Sequence, residues 1–227
     1  MKKIFIGWDS REKSAFEVCE YSIKSRSSDD KIKIYPLKQE DLRKSGIYSR
    51  EKDGLASTEF SITRFLVPFL SEYSGISIFM DCDFLILEDV EKLFSLIDPS
   101  KAISVVKHNY IPENKNKMDG EKQHIYPRKN WSSLMVFNNS HPSNRKLNPK
   151  LVNKESPQYL HRLSWLKEGE IGEIPHTWNY LSGWYKDIDS PKAIHYTEGG
   201  PWFKNHRDCD FSKEWLYEYF LMKESGF

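Results

Sequence analysis

Three cysteines, Cys19, Cys82 and Cys209, are scattered through 227 residues with no C-x-x-C spacing, which argues against a disulfide framework or a structural zinc site. A reducing, cytoplasmic setting is expected, with each cysteine a small core filler rather than a nucleophile. Long apolar runs are missing as well: no segment approaches the roughly 20 residues that a bilayer-spanning helix needs. The opening Met1-Lys2-Lys3-Ile4-Phe5-Ile6-Gly7 is basic and then apolar, but Trp8-Asp9-Ser10 stops it far short of a secretory h-region. Peripheral membrane contact stays open. Charge of one sign is absent too: 34 basic against 33 acidic residues leave a formal +1, so bulk electrostatics offers no case for a nucleic-acid binder. Length limits the rest, since 227 residues support one sizeable core and two domains would be cramped. A single domain over 1–227 is expected.

What the chain does have is aromatic content: 14% of residues, including 7 Trp, high for a chain of this charge, and much of it is expected to be core. Trp131, Trp184 and Trp202, beside Gly and Ser, are candidates for stacking against a base or a sugar ring. The apolar pattern reads as alternating strands and helices. Lys3–Gly7 is a first buried strand, and Asp9 with Glu12 has capping-box spacing for a helix carrying Ala15, Phe16, Cys19 and Ile23. Residues 31–37 form a second strand, with Pro36 suited to an edge. Ser57-Thr58 can cap another helix, bearing Phe60, Phe65, Leu66, Phe69 and Leu70 and ending near Gly75. Short strands at 102–106, 133–137 and 193–196, a short helix at 157–167, and a C-terminal helix at 212–222 with Trp215, Tyr219 and Phe220 inward complete the set. This is an α/β protein with a Rossmann-like opening and a mostly parallel central sheet flanked by helices. Residues 108–130 show almost no apolar periodicity and read as a long loop, either an acceptor-binding lid or simply mobile.

The tetrapeptide Asp-Cys-Asp-Phe occurs twice, in different surroundings. Asp208–Phe211 follows the polar Lys204-Asn205-His206-Arg207 and leads into the last helix, with Asp210 or Ser212 as its cap. Asp81–Phe84 instead ends the apolar run Ile76–Met80, a buried strand delivering carboxylates to its carboxyl end, where open α/β sheets bind ligands. Alternation puts Asp81 and Asp83 on one face and Cys82 on the other. Two adjacent carboxylates repel unless a cation settles them, so a divalent metal with a phosphorylated ligand is the leading expectation.

Asp81-Cys82-Asp83, preceded by Arg64-Phe65-Leu66-Val67-Pro68 and followed by His195-Tyr196-Thr197-Glu198-Gly199-Gly200-Pro201-Trp202, forms an ordered set. Together with Leu134–Asn138 and Ile174-Pro175-His176-Thr177-Trp178-Asn179, it resembles glycosyltransferases of the GT-A fold, most closely family 8, the group of glycogenin and bacterial lipopolysaccharide sugar transferases. The resemblance implies the nucleotide-diphospho-sugar transferase fold and transfer from a nucleotide sugar, expected to be a UDP-sugar, to a glycan or other hydroxyl acceptor, with retention at the anomeric carbon. It implies that Asp81, Asp83 and His195 hold Mn²⁺ or Mg²⁺ against the diphosphate. Carboxylates suit either hard ion, and one imidazole tilts the choice toward Mn²⁺. It further implies donor contacts from Trp8, Asp9, Arg64, Cys82, Gly199, Gly200 and Trp202. Ser133, Asn138, Trp178 and Asn179 are its candidates for sugar or acceptor contacts.

Each residue also has a plainer reading: Asp9 as a cap, Arg64 as a guanidinium reaching solvent, Asn138 as a strand terminator, Gly199-Gly200-Pro201 as a turn. The chain departs from the family at three places. Gly200 stands where a lysine precedes Pro-Trp, leaving Lys204 and Arg207 as nearby cations. Gln158-Tyr159-Leu160-His161-Arg162 occupies the region of the family's Asp-Gln-Asp, so the residue facing the anomeric carbon is unassigned. A basic membrane-associating tail is missing at the C-terminus. Two rivals remain in view: a haloacid-dehalogenase-like phosphatase with Asp81 as nucleophile, which Leu85 and the late position of the motif disfavour, and a non-catalytic binder of nucleotide sugars.

Overall fold

The computed structural model describes residues 2–51, 57–109, 127–185 and 190–227. A six-stranded sheet forms the centre, in the order β2-β1-β3-β6-β5-β7. Its strands are β1 (Lys3–Gly7), β2 (Lys33–Leu37), β3 (Ile76–Met80), β5 (Ile103–Val105), β6 (Leu134–Asn138) and β7 (Ile171–Glu173). Only β6 runs against the others, pairing antiparallel with both β3 and β5. The apolar runs of β1, β3 and β6 are almost wholly buried, as strands covered on both faces must be. Pro36 sits on the edge strand β2, where its missing N–H breaks no ladder.

A smaller sheet, β4 (Phe84–Ile86), β9 (Ala193–His195) and β8 (Tyr180–Leu181), stands beside the first in the order β4-β9-β8. Its back packs on α1 (Lys13–Arg26) and α7 (Ser212–Glu224) through Val18, Leu85, Ile194, Tyr196, Trp215 and Met222. The remaining helices are short: α2 (Gln39–Lys44), α3 (Val67–Leu70), α4 (Glu91–Phe94), α5 (Pro149–Lys154) and α6 (Pro157–His161).

Several local expectations give way to tertiary contacts. Asp9 caps only a 3₁₀ turn, Ser10–Glu12, because its carboxylate is held by Arg11; α1 begins after that turn with no side-chain cap. Residues 57–62 form turns rather than a helix, followed by a 3₁₀ segment, Thr63–Leu66, and then α3. Pro68 cannot donate to a preceding carbonyl, so the helix restarts at its own first turn. Neither Asp210 nor Ser212 caps α7. The position belongs to Phe211, held at φ +61° while its carbonyl accepts the Tyr196 hydroxyl at 2.8 Å. On α7, Glu218 and Met222 turn inward with Trp215, whereas Phe220 is 57% exposed. Of the expected loop over 108–130, residues 110–126 lie outside the described residues.

Candidate metal centre

The carboxyl ends of β1 and β3 and the start of the reversed β6 meet along one edge of the large sheet, since Ile6 pairs with Met80 and Met80 with Leu134. Asp81 follows β3 directly, and its backbone N–H donates to the Ser133 carbonyl at 3.0 Å. The second sheet supplies the partner. Pairing of β4 with β9 sets Phe84 opposite His195, and the Tyr196 N–H donates to the Asp83 carbonyl at 3.0 Å, so the histidine arrives beside the carboxylates. One ligand atom from each of Asp81, Asp83 and His195 lies within 4.8 Å of the others. They open into a cleft of about 800 Å³, also walled by Glu12, Ser61, Arg64, Lys129 and Gly199.

The proton position on His195 follows from a chain of hydrogen bonds. The Asn130 carbonyl can only accept, so the Ser133 hydroxyl donates to it at 2.7 Å. Ser133 Oγ then accepts from Asn179 Nδ2 at 2.9 Å, which turns Asn179 Oδ1 toward His195 Nδ1, also at 2.9 Å. An amide oxygen cannot donate, so Nδ1 carries the hydrogen and Nε2 of the neutral ring presents a lone pair. The Phe84 ring, stacked at 4.4 Å, holds the imidazole in that orientation. Nε2 lies 3.3 Å from Asp83 Oδ1, so two lone pairs face each other. Only a proton or a cation reconciles them.

Asp81 Oδ1 and Asp83 Oδ1 are buried without an aligned hydrogen bond. Arg64 Nη1 approaches Asp81 Oδ1 to 2.8 Å, but the hydrogen bond it donates goes to the Ser132 carbonyl, also leaving Asp81 an ionic contact alone. Burial pushes the Asp81 carboxyl up to about 7 against the pull of Arg64, with the Asp83 charge adding to the rise. Burial would lower His195, yet the Asp83 and Asp81 carboxylates outweigh it and raise it. Glu12 is pushed up to about 7 by burial and then by Asp83 and Asp9. Carboxylate oxygens with no aligned donor, a bare imidazole nitrogen and surplus negative charge are the donor set that suits Mn²⁺ or Mg²⁺.

Arg64 is buried, sandwiched near the Phe60 and Phe79 rings at 5.2 and 4.9 Å, so the solvent-reaching alternative does not apply. Gly199, at φ +104°, lines the cleft, and Ser133 stands in its wall. Other sequence-derived candidates lie elsewhere. Both Asp9 oxygens are taken by Arg11 and by the Glu59 N–H, and Trp8 packs edge-on against Phe16. The Cys82 side chain points into the core, as alternation requires once Asp81 and Asp83 face the cleft. A Cβ on Gly200 would strike the Trp202 ring, and Trp202 itself packs against Tyr196 and Trp215. Asn138 pairs with Ile76 at the opposite end of the sheet, because β6 is reversed, and its amide donates to the Pro99 carbonyl. Trp178 is fully buried in the main core. Asn179 stands behind His195 and orients it. Lys204 and Arg207 are exposed and outside the cleft wall, where Lys129 and Arg11 stand instead.

Sequence reasoning missed Glu12, Ser61, Lys129, Asn130, Ser132 and His161, all in the wall. Asn130 and Ser132 flank Ser133, so proximity was their only signal; His161 lay in the segment that departs from the family. Trp184, one of the candidate stacking residues, donates from Nε1 to Glu198 at 2.9 Å beneath Lys129 Nζ, 4.4 Å from its ring, and so borders the cleft.

No family model matches the sequence. Protein CDI of Arabidopsis thaliana is 49% identical over 221 residues, covering 95% of this chain and 85% of that protein. The chain belongs to the Protein CDI family. The fold is found in solved glycosyltransferases of low identity. GlyE of Streptococcus pneumoniae TIGR4 superposes with a TM-score of 0.62 at 14% identity over 98% of this chain, which spans 62% of GlyE's length. The galactosyltransferase LgtC gives 0.58 at 14% identity over 96% and 95% of the two chains. Mouse xyloside xylosyltransferase 1 gives 0.52 at 10% identity over 87% and 98%. This member of the family therefore has the GT-A glycosyltransferase fold expected from its motifs, with one reversed strand in an otherwise parallel sheet.

Proposed function

We propose that the protein is a metal-dependent glycosyltransferase that moves a sugar from a nucleotide-sugar donor, a UDP-sugar first among candidates, to a hydroxyl on a glycan or other acceptor. The observation that carries this reading is the bare His195 Nε2 facing two carboxylates with unaligned oxygens, at the carboxyl end of β3 and open to a large cleft. In the shared fold, LgtC has been solved with donor and acceptor sugar analogues. Asp81, Asp83 and His195 would hold the ion, Mn²⁺ before Mg²⁺. Such an ion, when bound, supplies Lewis-acid stabilisation of the charge that grows on the departing diphosphate.

The chain's own residues do the rest. Arg64 spans Asp81 and the Ser132 carbonyl, fixing the first ligand and the adjoining wall as one unit. Gly199 lines the cleft at φ +104°, a conformation that glycine adopts readily, and so brings its backbone to the wall. Lys129 and Arg11 add positive charge to the cleft. Retention of anomeric configuration rests on the family resemblance.

The test is a panel of nucleotide sugars incubated with the protein and Mn²⁺ while nucleoside diphosphate release is followed. Release should vanish in Asp83→Ala and persist in Asp210→Ala. Absence of release with every donor, alongside hydrolysis of small phosphomonoesters, would move the protein to the phosphatases. Tight donor binding without release would make it a non-catalytic binder.

A further inference from the structure

His161 ends α6, whose first turn is capped by the Ser156 hydroxyl, and its ring reaches the cleft wall with its edge on Phe65. Both ring nitrogens meet serine hydroxyls: Nδ1 lies 2.8 Å from Ser132 Oγ and Nε2 3.3 Å from Ser61 Oγ. A neutral imidazole has one donor and one acceptor nitrogen. One serine must therefore donate to the ring and the other accept from it. The donating serine keeps an oxygen able to accept; the accepting serine keeps a proton to give. The three side chains thus form a relay that offers the cleft one acceptor and one donor, whichever tautomer the ring adopts.

The ring stays neutral because burial and the nearby Arg64 charge oppose its protonation. Arg64 is itself committed to Asp81 and the Ser132 carbonyl. The same arginine ties this wall to Asp81, so the three side chains and the metal ligands line one and the same cleft. A neutral donor and a neutral acceptor complement neighbouring sugar hydroxyls, whereas a carboxylate would find only one neutral donor and an opposing lone pair there, the Arg64 charge being committed to Asp81 and the Ser132 carbonyl.

We infer that Ser61, His161 and Ser132 form the subsite that reads the hydroxyls of the transferred sugar, selecting an uncharged hexose or pentose over an acidic one. This rests on the glycosyltransferase reading and names its donor class.

The experiment compares, with Mn²⁺ present, binding of UDP and GDP with that of UDP-glucose, UDP-galactose, UDP-xylose, UDP-glucuronate and GDP-mannose by calorimetry. In the unaltered protein at least one neutral sugar nucleotide should bind more tightly than its free diphosphate, and UDP-glucuronate should not. In His161→Ala that increment should collapse, by about tenfold for the loss of a hydrogen-bonded contact pair, while diphosphate binding moves less than about twofold. Ser61→Ala, which leaves the ring and core in place, should remove part of the same increment. Retention of the increment in both variants, a parallel fall in diphosphate binding, or preference for UDP-glucuronate would overturn the subsite with the transferase reading intact. No binding of any nucleotide would overturn both.

Discussion

At the level of single residues, the decisive group is an amide that touches no ligand. Asn179 fixes the His195 tautomer because its own orientation is dictated, through Ser133, by a backbone carbonyl. Asn179→Ala should weaken Mn²⁺ binding about 10–100-fold, the usual consequence of losing the partner behind a ligating histidine, and titration of Mn²⁺ by calorimetry measures it. Two other histidines weigh against stability in acid. His108 and His161 are each held down to about 3 from 6.5, chiefly by burial, with His195 and His176 opposing His108 and Arg64 opposing His161. Between those values the unfolded chain binds protons that the folded chain refuses. These two groups therefore contribute a loss of stability as pH drops below about 6.5, by up to about 1.4 kcal/mol per pH unit per histidine, while the raised Asp81 and Glu12 carboxyls contribute in the opposite direction over the same range. Denaturant midpoints from pH 7 to 4 isolate the histidine part: relative to the unaltered protein, His108→Gln should become more stable as pH falls. In the sequence, the Asp81 and Asp83 pair was readable because i, i+2 alternation is local, whereas His195 came only with the family resemblance. Asn179 was noticed for the wrong task, since only the β9 pairing reveals what stands behind His195.

Among elements, a bidentate polar link joins the two helices behind the small sheet. Arg26 on α1 reaches Glu218 on α7 with two hydrogen bonds, both 2.6 Å, and the Glu218 side chain is almost fully buried. Removing the arginine would strand a buried carboxylate. Arg26→Ala should lower stability by roughly 2–3 kcal/mol, short of the about 3–5 of a fully buried pair because the arginine keeps some exposure. The double variant Arg26→Ala with Glu218→Leu should recover much of that in the same urea titration. Strands with strong apolar runs, β1, β3 and β6, were legible in advance, as was α1. Of the strands of two or three residues, β5 and β9 showed in their apolar runs, while β4, β7 and β8 left no periodicity to read. The helix expected after Ser57 gave way to turns and a 3₁₀ segment, with an α-helical turn only from Val67, and Phe220 was assigned inward because a stretch of α7 is apolar on most sides, so its period did not show which face packs.

For the molecule as a whole, a metal held by Asp81, Asp83 and His195 would be linked to folding. An ion that binds only the folded chain stabilises it by mass action, by about 2.7 kcal/mol at a hundredfold excess over Kd. Mn²⁺ should raise the melting temperature of the unaltered protein and leave that of Asp83→Asn unmoved in a thermal-shift assay. The rise should shrink as pH falls through about 7, because burial holds the Asp81 proton on to that value and bound metal must displace it. The general architecture was legible because α/β alternation constrains topology strongly. The assignment of sites to strand ends failed at Asn138, since direction of a single strand is not encoded in its own residues.

That reversed strand has a further result. Because β5 ends and β6 begins on the same edge, the residues just before β6 stand on the cleft side of the sheet. The reversal of β6 thus fixes where Lys129, Asn130, Ser132 and Ser133 stand: they are cleft-wall residues because the strand they lead into starts at the cleft edge rather than ending there.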